Sequence, residues 1–319
     1  MTSTNNKRSE PGVRATGDYN PRYRLGPVQS LEQKRLKSVL GVVFCLAIIS
    51  VGVFAAQMPY EKGIRILPGQ WRPHFPFEQI AWVSPPWSSQ DYIWLDFPEA
   101  IFTESSLMYL SHVNPKFPSM FSDLPKVQWQ TIPGGIGYER VLPNAVKFGG
   151  SVVKNSDSSG ALLELYIENG SKVKLKNIKL QTCAFMRAAK EFSDFTADNK
   201  FVHLPELGWQ PFEKGIASGH KSGRFRLGWR AGPAAADLPV MVTVSNTGQR
   251  LTAFSWYDST YSLVTNAEHP CMHADPFFGD LEPGQRAEIR GELLFFEGTI
   301  EQFEKWFRKR YNQGPSCSR

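Results

Sequence analysis

The sequence lacks the short motifs that mark the common nucleotide-binding and hydrolytic enzymes. It contains no glycine-rich phosphate loop and no Gly-x-Ser-x-Gly nucleophile elbow, and no internal repeat is visible. Cysteine is also scarce, at four in 319 residues. These absences argue against a P-loop nucleotide enzyme, an α/β-hydrolase, a repeat protein and a domain that depends on disulfides for its stability.

The four cysteines leave one pairing to consider. Cys45 lies in an apolar stretch, whereas Cys183, Cys271 and Cys317 come later in the chain. Only Cys183 and Cys271 both fall in stretches that we predict to be ordered, so either they form a disulfide or both are free buried thiols. Three cysteines outside the apolar stretch are an odd number, so at least one is unpaired or bonded elsewhere.

Net charge is nearly absent from most of the chain. There are 36 basic and 30 acidic side chains in all, which gives a net charge of +6. The first 37 residues hold eight of the basic and three of the acidic side chains, so +5 of the +6 lies in this short segment. Because the remaining residues are close to neutral, we exclude nucleic acid as a partner.

Ser38–Tyr60 contains no charged residue and shows no apolar periodicity. At ~1.5 Å per residue a helix of this length is roughly 34 Å long, which suffices to cross a bilayer core of about 30 Å. The basic residues before it place the amino terminus in the cytoplasm. We therefore predict a single-pass protein of the plasma (inner) membrane that contacts the lipid bilayer through Ser38–Tyr60, with its C-terminal domain outside the cytoplasm.

Two alternatives remain for this stretch. A cleaved signal peptide would use the small residues Ala55 and Ala56 at the cleavage site, although the preceding polar segment is longer than usual. A buried helix of a soluble domain would show one polar face, and the stretch is apolar on all faces.

The composition divides the rest of the chain into four segments. Residues 1–37 are predicted to be a disordered basic cytoplasmic tail because they contain few large apolar side chains. Residues 61–90 are rich in proline and aromatic side chains and are predicted to be an irregular stalk. Residues 91–312 form the extracytoplasmic domain, and residues 313–319 form a loose tail.

The extracytoplasmic domain shows a succession of short strands with few helices. From Tyr92 to Phe296, runs rich in β-branched and aromatic residues are separated by turn residues. One clear helix follows at Thr299–Tyr311, where Thr299 and Gln302 form a capping box and apolar residues recur on one face. The prediction is an all-β fold, an antiparallel β-sandwich with one C-terminal helix, preceded by the single transmembrane helix.

Leu162–Glu168 alternates apolar and polar residues, and after a three-residue loop Lys172–Leu175 alternates as well. A hairpin with this loop would place Ile167 opposite Val173, so that the apolar side chains share one face. The same register brings opposite charges together across the two strands. We therefore predict a hairpin whose apolar face, with Leu165 at its centre, is buried.

Two stretches resemble a known group of proteins. One is Ile93–Ala100 (IWLDFPEA), which continues to Tyr109–Pro118 (YLSHVNPKFP), and the other is His269–Pro276 (HPCMHADP), which is followed by Leu281–Gln285 (LEPGQ). Together they resemble a group of bacterial membrane-anchored proteins that have no established activity, over residues 91–311.

The LEPGQ turn before a long final strand is also similar to the end of galactose-mutarotase-like β-supersandwiches. That resemblance implies a supersandwich fold. Mutarotases use a glutamate base and a histidine acid within longer motifs, and those motifs have no match here. The resemblance therefore implies no catalytic residue for this chain.

His269, Cys271, His273 and Asp275 recur at two-residue spacing. On a strand they would share one face and offer ligands suited to zinc or copper. The two prolines in this segment instead favour a short rigid loop, which leaves a metal site, a polar wall of a ligand pocket and structural packing as alternatives. We expect a polar pocket beside the final strand, with His269, His273 and Asp275 as ligand contacts and with no metal or other cofactor.

Two other polar groups are candidates for a binding site. His112 and Asn114 follow a strand, and Asp198, Asn199 and Lys200 form a polar loop that suits sugar hydroxyls. Turn formation is the alternative for both groups. The nine tryptophans all lie after the apolar span, where they serve either sugar stacking or packing.

The leading functional hypothesis is a membrane-anchored, extracytoplasmic β-sandwich that binds carbohydrate or another cell-envelope ligand without catalysis. One alternative is an enzyme of the sugar mutarotase or epimerase type. Another is a structural subunit of an envelope complex with membrane-protein partners. Titratable groups that converge in a deep pocket favour the enzyme, a shallow aromatic platform favours the binder, and an exposed apolar patch favours the structural subunit.

Overall fold

The computed structural model describes residues 62–71 and 78–314, apart from positions 88, 113, 115, 122–123, 195, 230–231, 233 and 267. The predicted cytoplasmic tail, the predicted span Ser38–Tyr60 and residues 315–319 of the predicted loose tail lie outside the described residues. Among the residues that are described, no helix is long and apolar enough to cross a membrane.

The described residues form eighteen β-strands, two α-helices and one 3-10 turn (Tyr257–Ser259). The strands of the first half are β1 (Ile66–Gly69), β2 (Ile80–Val83), β3 (Ile93–Phe102), β4 (Leu107–Leu110), β5 (Gln130–Ile132), β6 (Gly135–Val141), β7 (Val146–Lys154), β8 (Gly160–Asn169) and β9 (Leu175–Phe185). The remaining elements are β10 (Lys200–Leu204), β11 (Gly208–Pro211), α1 (Phe212–Ala217), β12 (Phe225–Leu227), β13 (Ala235–Ala236), β14 (Val240–Val244), β15 (Arg250–Ser255), β16 (Thr260–Asn266), β17 (Cys271–Leu281), β18 (Arg286–Glu297) and α2 (Ile300–Gln313).

The strands form two nine-stranded sheets. Sheet A has the order β1-β2-β3-β9-β17-β16-β12-β13, with β4 paired to β3, and sheet B has the order β11-β10-β14-β15-β18-β8-β7-β6-β5. Neighbouring strands are antiparallel in both sheets, apart from the parallel pair β12–β16. The predicted all-β class with a C-terminal helix is therefore confirmed for the described residues, and α1 is a short addition to it.

The two sheets pack face to face over a large apolar core. The alternation predicted in β8 is present, because Leu163, Leu165 and Ile167 are almost completely buried. A polar contact also reaches across the core: the indole of Trp256, which directly follows β15 of sheet B, donates a hydrogen bond to the Thr182 hydroxyl of sheet A at 3.0 Å. The alternating pattern thus marks the face of each strand that points into the sandwich.

The predicted β8–β9 hairpin is wrong. β8 lies in sheet B between β7 and β18, whereas β9 lies in sheet A between β3 and β17. The buried Asn169 side chain at the end of β8 donates hydrogen bonds to the carbonyls of Val173 and Leu281, and these bonds turn the chain from one sheet to the other. The acidic residues of β8 pair instead with β18, where Arg290 meets Glu164 at 3.2 Å.

The segment predicted to be an irregular stalk contributes to the sheet. β1 and β2 both lie within residues 61–90, and β2 pairs with β3 from Ile80↔Asp96 to Val83↔Ile93. Ile80, Ala81 and Val83 are completely buried. Of the prolines that the structure describes here, Pro85 and Pro86 follow β2, and Pro68 lies in β1 at the edge of sheet A, where a sheet accepts proline.

Helix α2 closes the fold on the outside of sheet B. The predicted capping box is confirmed, because the Thr299 side chain accepts a hydrogen bond from the Gln302 backbone and the Gln302 side chain accepts one from Thr299. Phe303 and Phe307 are fully buried against apolar residues of sheet B. The apolar face of this helix is therefore covered within the chain.

Candidate functional site

The loop predicted at His269–Asp275 is wrong for most of its length, because the central strand β17 begins at Cys271 and only His269 and Pro270 lie in the turn before it. Pro276 is tolerated in the strand because it lies opposite Thr260, at the one irregularity in the β16–β17 ladder, and irregular positions are where sheets accept proline. β17 pairs on its other side with β9, from Cys271↔Phe185 onward. The pocket residues therefore belong to the middle of sheet A and do not lie beside the final strand β18.

Successive side chains of β17 point to opposite faces of sheet A. Met272 faces sheet B, because its sulfur accepts a hydrogen bond from the Thr243 hydroxyl at 3.6 Å. Cys271, His273 and Asp275 consequently lie on the opposite face of sheet A. His273 stands directly across from Cys183 of β9.

A cleft of about 950 Å³ lies over this face of sheet A. Its floor and walls come from several strands of the sheet and from the segment that follows β4. The lining residues that carry polar or aromatic groups include Glu99, His112, Asn114, Phe117, Lys179, Gln181, Arg226, Trp229, Tyr261, His269 and Asp275.

Glu99 lies between two imidazoles. The ladder between β3 and β9 shifts between Asp96 and Ala100, and this irregularity contains Glu99. One carboxylate oxygen is 3.8 Å from His112 Nδ1, and the other is 3.9 Å from His273 Nδ1. The second oxygen also accepts a hydrogen bond from Gln181 Nε2 at 2.9 Å. The site therefore holds a carboxylate that two potential proton donors approach from different sides.

Asp275 is buried beneath the exposed ring of Trp229. Its Oδ2 accepts hydrogen bonds from the Trp229 indole at 3.2 Å and the Ser262 hydroxyl at 3.0 Å, and its Oδ1 accepts one from the Thr182 backbone N–H at 3.1 Å. Burial raises the pKa of Asp275 to about 6, although the positive charge of His273 and the hydrogen bonds from Thr182 and Ser262 act in the opposite direction. Trp229 also packs edge-on against His273, with ring centroids 5.5 Å apart.

Two thiols lie next to His273 on the same face. Cys183 and Cys271 are free and buried, and Cys271 Sγ is 3.3 Å from His273 Nε2. The pKa of Cys271 is lowered because Cys183 donates a hydrogen bond to its sulfur and because His273 brings positive charge, whereas the same hydrogen bond raises the pKa of Cys183. Burial opposes a charged His273, but the negative charges of Cys271, Glu99 and Asp275 outweigh it and raise the pKa of His273 to about 10.

Five of the eight predicted site residues meet around this cleft. His112, Asn114, His269 and Asp275 line it, and His273 lies directly beneath Trp229. The three residues of the predicted sugar-binding loop, Asp198, Asn199 and Lys200, are absent from the cleft lining. Lys200 is completely buried and binds the carbonyls of its own loop, so this loop has a structural role in the chain.

Sequence reasoning missed Glu99, Cys183, Gln181 and Trp229. Glu99 of β3 and Cys183 and Gln181 of β9 are brought to the site by the pairing of β9 with β3 and β17, and Trp229 comes from the segment after β12. The alternation on β17 marks only the face that these four residues meet, and Pro276, which favours a loop in the sequence, obscures it.

No protein-family model matches the sequence, and no curated protein matches it. Among solved structures, the chain is similar to the Slr1438 protein from Synechocystis sp. PCC 6803, with 10% identity and a TM-score of 0.39 over 76% of this chain and 98% of that chain. It is also similar to a GalM/aldose epimerase homologue from C. elegans, with 10% identity and a TM-score of 0.36 over 76% of this chain and 98% of that one.

A third similar structure is the α-N-acetylgalactosaminidase NagBb from Bifidobacterium bifidum, which was determined as a complex with GalNAc. The identity is 12% and the TM-score 0.45, over 81% of this chain and 39% of that chain. With TM-scores below 0.5, none of the three similarities carries an argument about this chain.

Proposed function

We propose that the protein binds carbohydrate, or another polyhydroxylated ligand of the cell envelope, in the cleft over sheet A. One observation carries the proposal: exposed aromatic rings and buried hydrogen-bonding groups line the same cleft. Phe117 and Trp229 are 65% and 56% exposed at its rim, while Asp275 and Gln181 supply acceptors and donors below them. Binding sites for small polar ligands typically combine apolar walls with a few convergent polar groups.

The charges in the cleft suit a ligand that is neutral overall. The carboxylates of Glu99 and Asp275 are accompanied by the basic side chains of Lys179 and Arg226, which line the same cleft. Lys179 and Arg226 both lie over the Tyr261 ring, at 4.6 and 5.0 Å from its centre. A neutral polyol can accept from the basic groups and donate to the carboxylates, whereas a strongly charged ligand would meet repulsion from one of the two sets.

The test is to find a ligand on a glycan array and to measure its affinity by calorimetry for the wild type and for Trp229→Ala. Loss of the aromatic wall is expected to weaken binding about tenfold. Val173→Ala is the matched control, because Val173 is 64% exposed in the turn after β8 and does not line the cleft. Equal affinity of Trp229→Ala and the wild type, or no binding to any saccharide tested, would contradict the proposal.

A second candidate function is proton transfer on a bound sugar, of the kind that interconverts anomers or epimers. The specific observation in its favour is Glu99, which lies 3.8 Å from His112 and 3.9 Å from His273. A carboxylate and an imidazole on two sides of a ligand can act as base and acid, and such groups contribute about 10²- to 10⁴-fold to a rate.

One experiment on Glu99→Gln distinguishes sugar binding without catalysis from proton transfer on a bound sugar. The enzyme hypothesis predicts that polarimetry with a sugar that binds will show accelerated interconversion by the wild type. It also predicts that Glu99→Gln will lose this acceleration and keep most of its affinity. A wild type that binds the sugar without any acceleration would leave the binding function and eliminate the catalytic one.

We further propose that the domain lies outside the cytoplasm and is held at the membrane by Ser38–Tyr60. The apolar stretch and the basic residues before it support this proposal. An extracytoplasmic position would place the cleft among the saccharides of the cell envelope. Helix α2 does not supply the exposed apolar patch that would favour a structural subunit, because sheet B covers its apolar face.

A further inference from the structure

We propose that Cys183, Cys271 and His273 bind a zinc ion beneath the floor of the cleft. One ligand atom from each of the three residues lies within 4.8 Å of the other two. Cys183 is 3% exposed, Cys271 is 0% exposed and His273 is 2% exposed. This site does not depend on sugar binding, and it replaces the sequence-based expectation of no metal, which did not take Cys183 into account.

The donor set matches the chemistry of zinc. Two thiol sulfurs and one imidazole nitrogen are soft to borderline ligands, and Zn²⁺ binds such groups in closed, buried sites. With bonds of about 2.3 Å to sulfur and 2.0 Å to nitrogen, a tetrahedral zinc ion holds a sulfur and a nitrogen about 3.5 Å apart. The distance between Cys271 Sγ and His273 Nε2 is 3.3 Å. These two atoms therefore already have the spacing that a shared ion requires.

The strand pairing explains why the donors converge. Cys271 and His273 alternate on β17 and so lie on one face, and Cys183 of β9 stands directly across from His273. Directly opposed residues in a sheet have their Cβ atoms about 5 Å apart, which is within reach of a common ion. Both strands lie inside sheet A, with a strand paired on each side, so the backbone holds the donors in place.

The surroundings of His273 also suit a metal ligand. If Nε2 binds the ion, Nδ1 carries the proton and needs an acceptor. Nδ1 has no hydrogen-bond partner among the described residues, but carboxylate oxygens of Glu99 and Asp275 lie 3.9 and 4.0 Å from it. Ligating histidines almost always direct their second nitrogen to a carboxylate or carbonyl in this way. A small rotation of the ring would complete the arrangement.

A tetrahedral ion needs a fourth donor, and the cleft offers one. His269 lines the cleft, and its Nδ1 is buried without a hydrogen-bond partner among the described residues. Its ring packs edge-on against Phe185, the cross-strand neighbour of Cys271, with centroids 5.6 Å apart. A water molecule from the cleft can take the fourth position, and so can the His269 imidazole after its side chain moves, because it lies outside the cluster of the three donors.

The first experiment uses the unmodified full chain. The metal content of the purified protein is measured, and the reduced apoprotein is then titrated with Co²⁺ as a spectroscopic probe for zinc. The expected result is one ion per chain, with an intense thiolate-to-cobalt charge-transfer absorption that Zn²⁺ abolishes by competition. Zn²⁺ should also protect Cys183 and Cys271 from alkylation, as read by mass spectrometry, and should not protect Cys317.

The second experiment compares Cys183→Ala and Cys271→Ala with Cys317→Ala. Alanine keeps the buried positions apolar, and circular dichroism checks that each variant is folded. The charge-transfer absorption should disappear in the first two variants and persist in the third. The proposal would be overturned by the absence of this absorption in the wild type, by a Cys183–Cys271 disulfide in natively isolated protein, or by folded variants that bind the ion as the wild type does.

Discussion

The ammonium group of Lys200 is fully buried in a loop that the sequence suggested as a sugar site. It donates hydrogen bonds to the carbonyls of Asp194 at 2.9 Å and Thr196 at 2.7 Å, and to the Asn199 side chain at 2.6 Å. Burial lowers the pKa of Lys200 to about 8, because the charged form loses its hydration. At the scale of single residues, burial thus decides whether a polar group binds a ligand or supports the fold.

This lowered pKa predicts how stability changes with pH. Unfolded Lys200 loses its proton near pH ~10.4, so between pH 8 and that value the unfolded chain binds more protons than the folded chain. The free energy of unfolding should therefore rise with pH through this window, by up to about 3 kcal/mol relative to Lys200→Met, which cannot titrate. Urea denaturation at several pH values measures the difference between the two proteins.

Lys190→Met is the matched control, since Lys190 is exposed near the same loop. Between pH 8 and pH ~10.4, the free energy of unfolding of Lys190→Met should change with pH by the same amount as that of the wild type. A constant difference between the wild type and Lys200→Met from pH 8 to pH 10 would show that Lys200 does not titrate as described.

At the scale of elements, α2 is held to sheet B by a buried ion pair as well as by aromatic packing. Arg310 Nε donates to Glu292 of β18 at 2.6 Å, and another guanidinium nitrogen donates to Asp157 at 2.6 Å. Glu292 is 0% exposed and also accepts a hydrogen bond from the Tyr257 hydroxyl. The helix therefore supplies the charge that allows a carboxylate to lie inside the domain.

Arg310→Met should destabilise the protein by about 3–5 kcal/mol, because it leaves the Glu292 carboxylate buried without its counter-charge. Arg308→Met on the same helix is the control. Arg308 is about half exposed and pairs with Glu304 at the surface, so its loss should cost less than ~1 kcal/mol. Chemical denaturation of both variants gives the comparison, and equal losses of stability would argue against the buried pair.

The strand β8 gives a second prediction at this scale. Leu165 is 1% exposed and pairs with Ile289 of β18. Leu165→Asp would bury an unpaired carboxylate and should cost more than ~4 kcal/mol. Val173→Asp, at an exposed position in the following turn, should leave the melting temperature almost unchanged. If Leu165→Asp and Val173→Asp had the same melting temperature, the apolar face of β8 would not be in the core.

These elements also show what the sequence can reveal. The capping box of α2 and the alternation of β8 are local patterns, and both predict the structure. The hairpin prediction is wrong because the basic side chains that pair with the acidic residues of β8 do not lie in the next run of the chain. Their true partner, β18, lies more than a hundred residues away, where Arg290 bonds to Glu164.

The candidate site shows the same difference between local patterns, which the sequence reveals, and long-range strand pairing, which it does not. His112, His273 and Asp275 could be predicted because strand ends and alternating polar residues are visible in a sequence. Glu99 and Cys183 could not, since each contributes through its neighbours across the sheet. The ligand set of a site built from β3, β9 and β17 depends on strand order, and local patterns do not encode strand order.

At the scale of the whole molecule, the residues that the structure describes between positions 62 and 314 belong to one compact unit. The proposed anchor precedes this unit, which yields a prediction about its location. Protease added to intact spheroplasts should degrade the domain and spare an epitope tag on the amino terminus. A domain that stays intact until the membrane is permeabilised would contradict the proposed orientation.

Among the described residues, the last strand is β18, which occupies the middle of sheet B and pairs with β15 on one side and β8 on the other. β18 is therefore synthesised after both of the strands with which it pairs. Until β18 is complete, the edges of β15 and β8 that it covers have no partner in sheet B. Open strand edges recruit other chains. A nonsense mutation before Arg286 should thus yield an aggregating product and no partly working one.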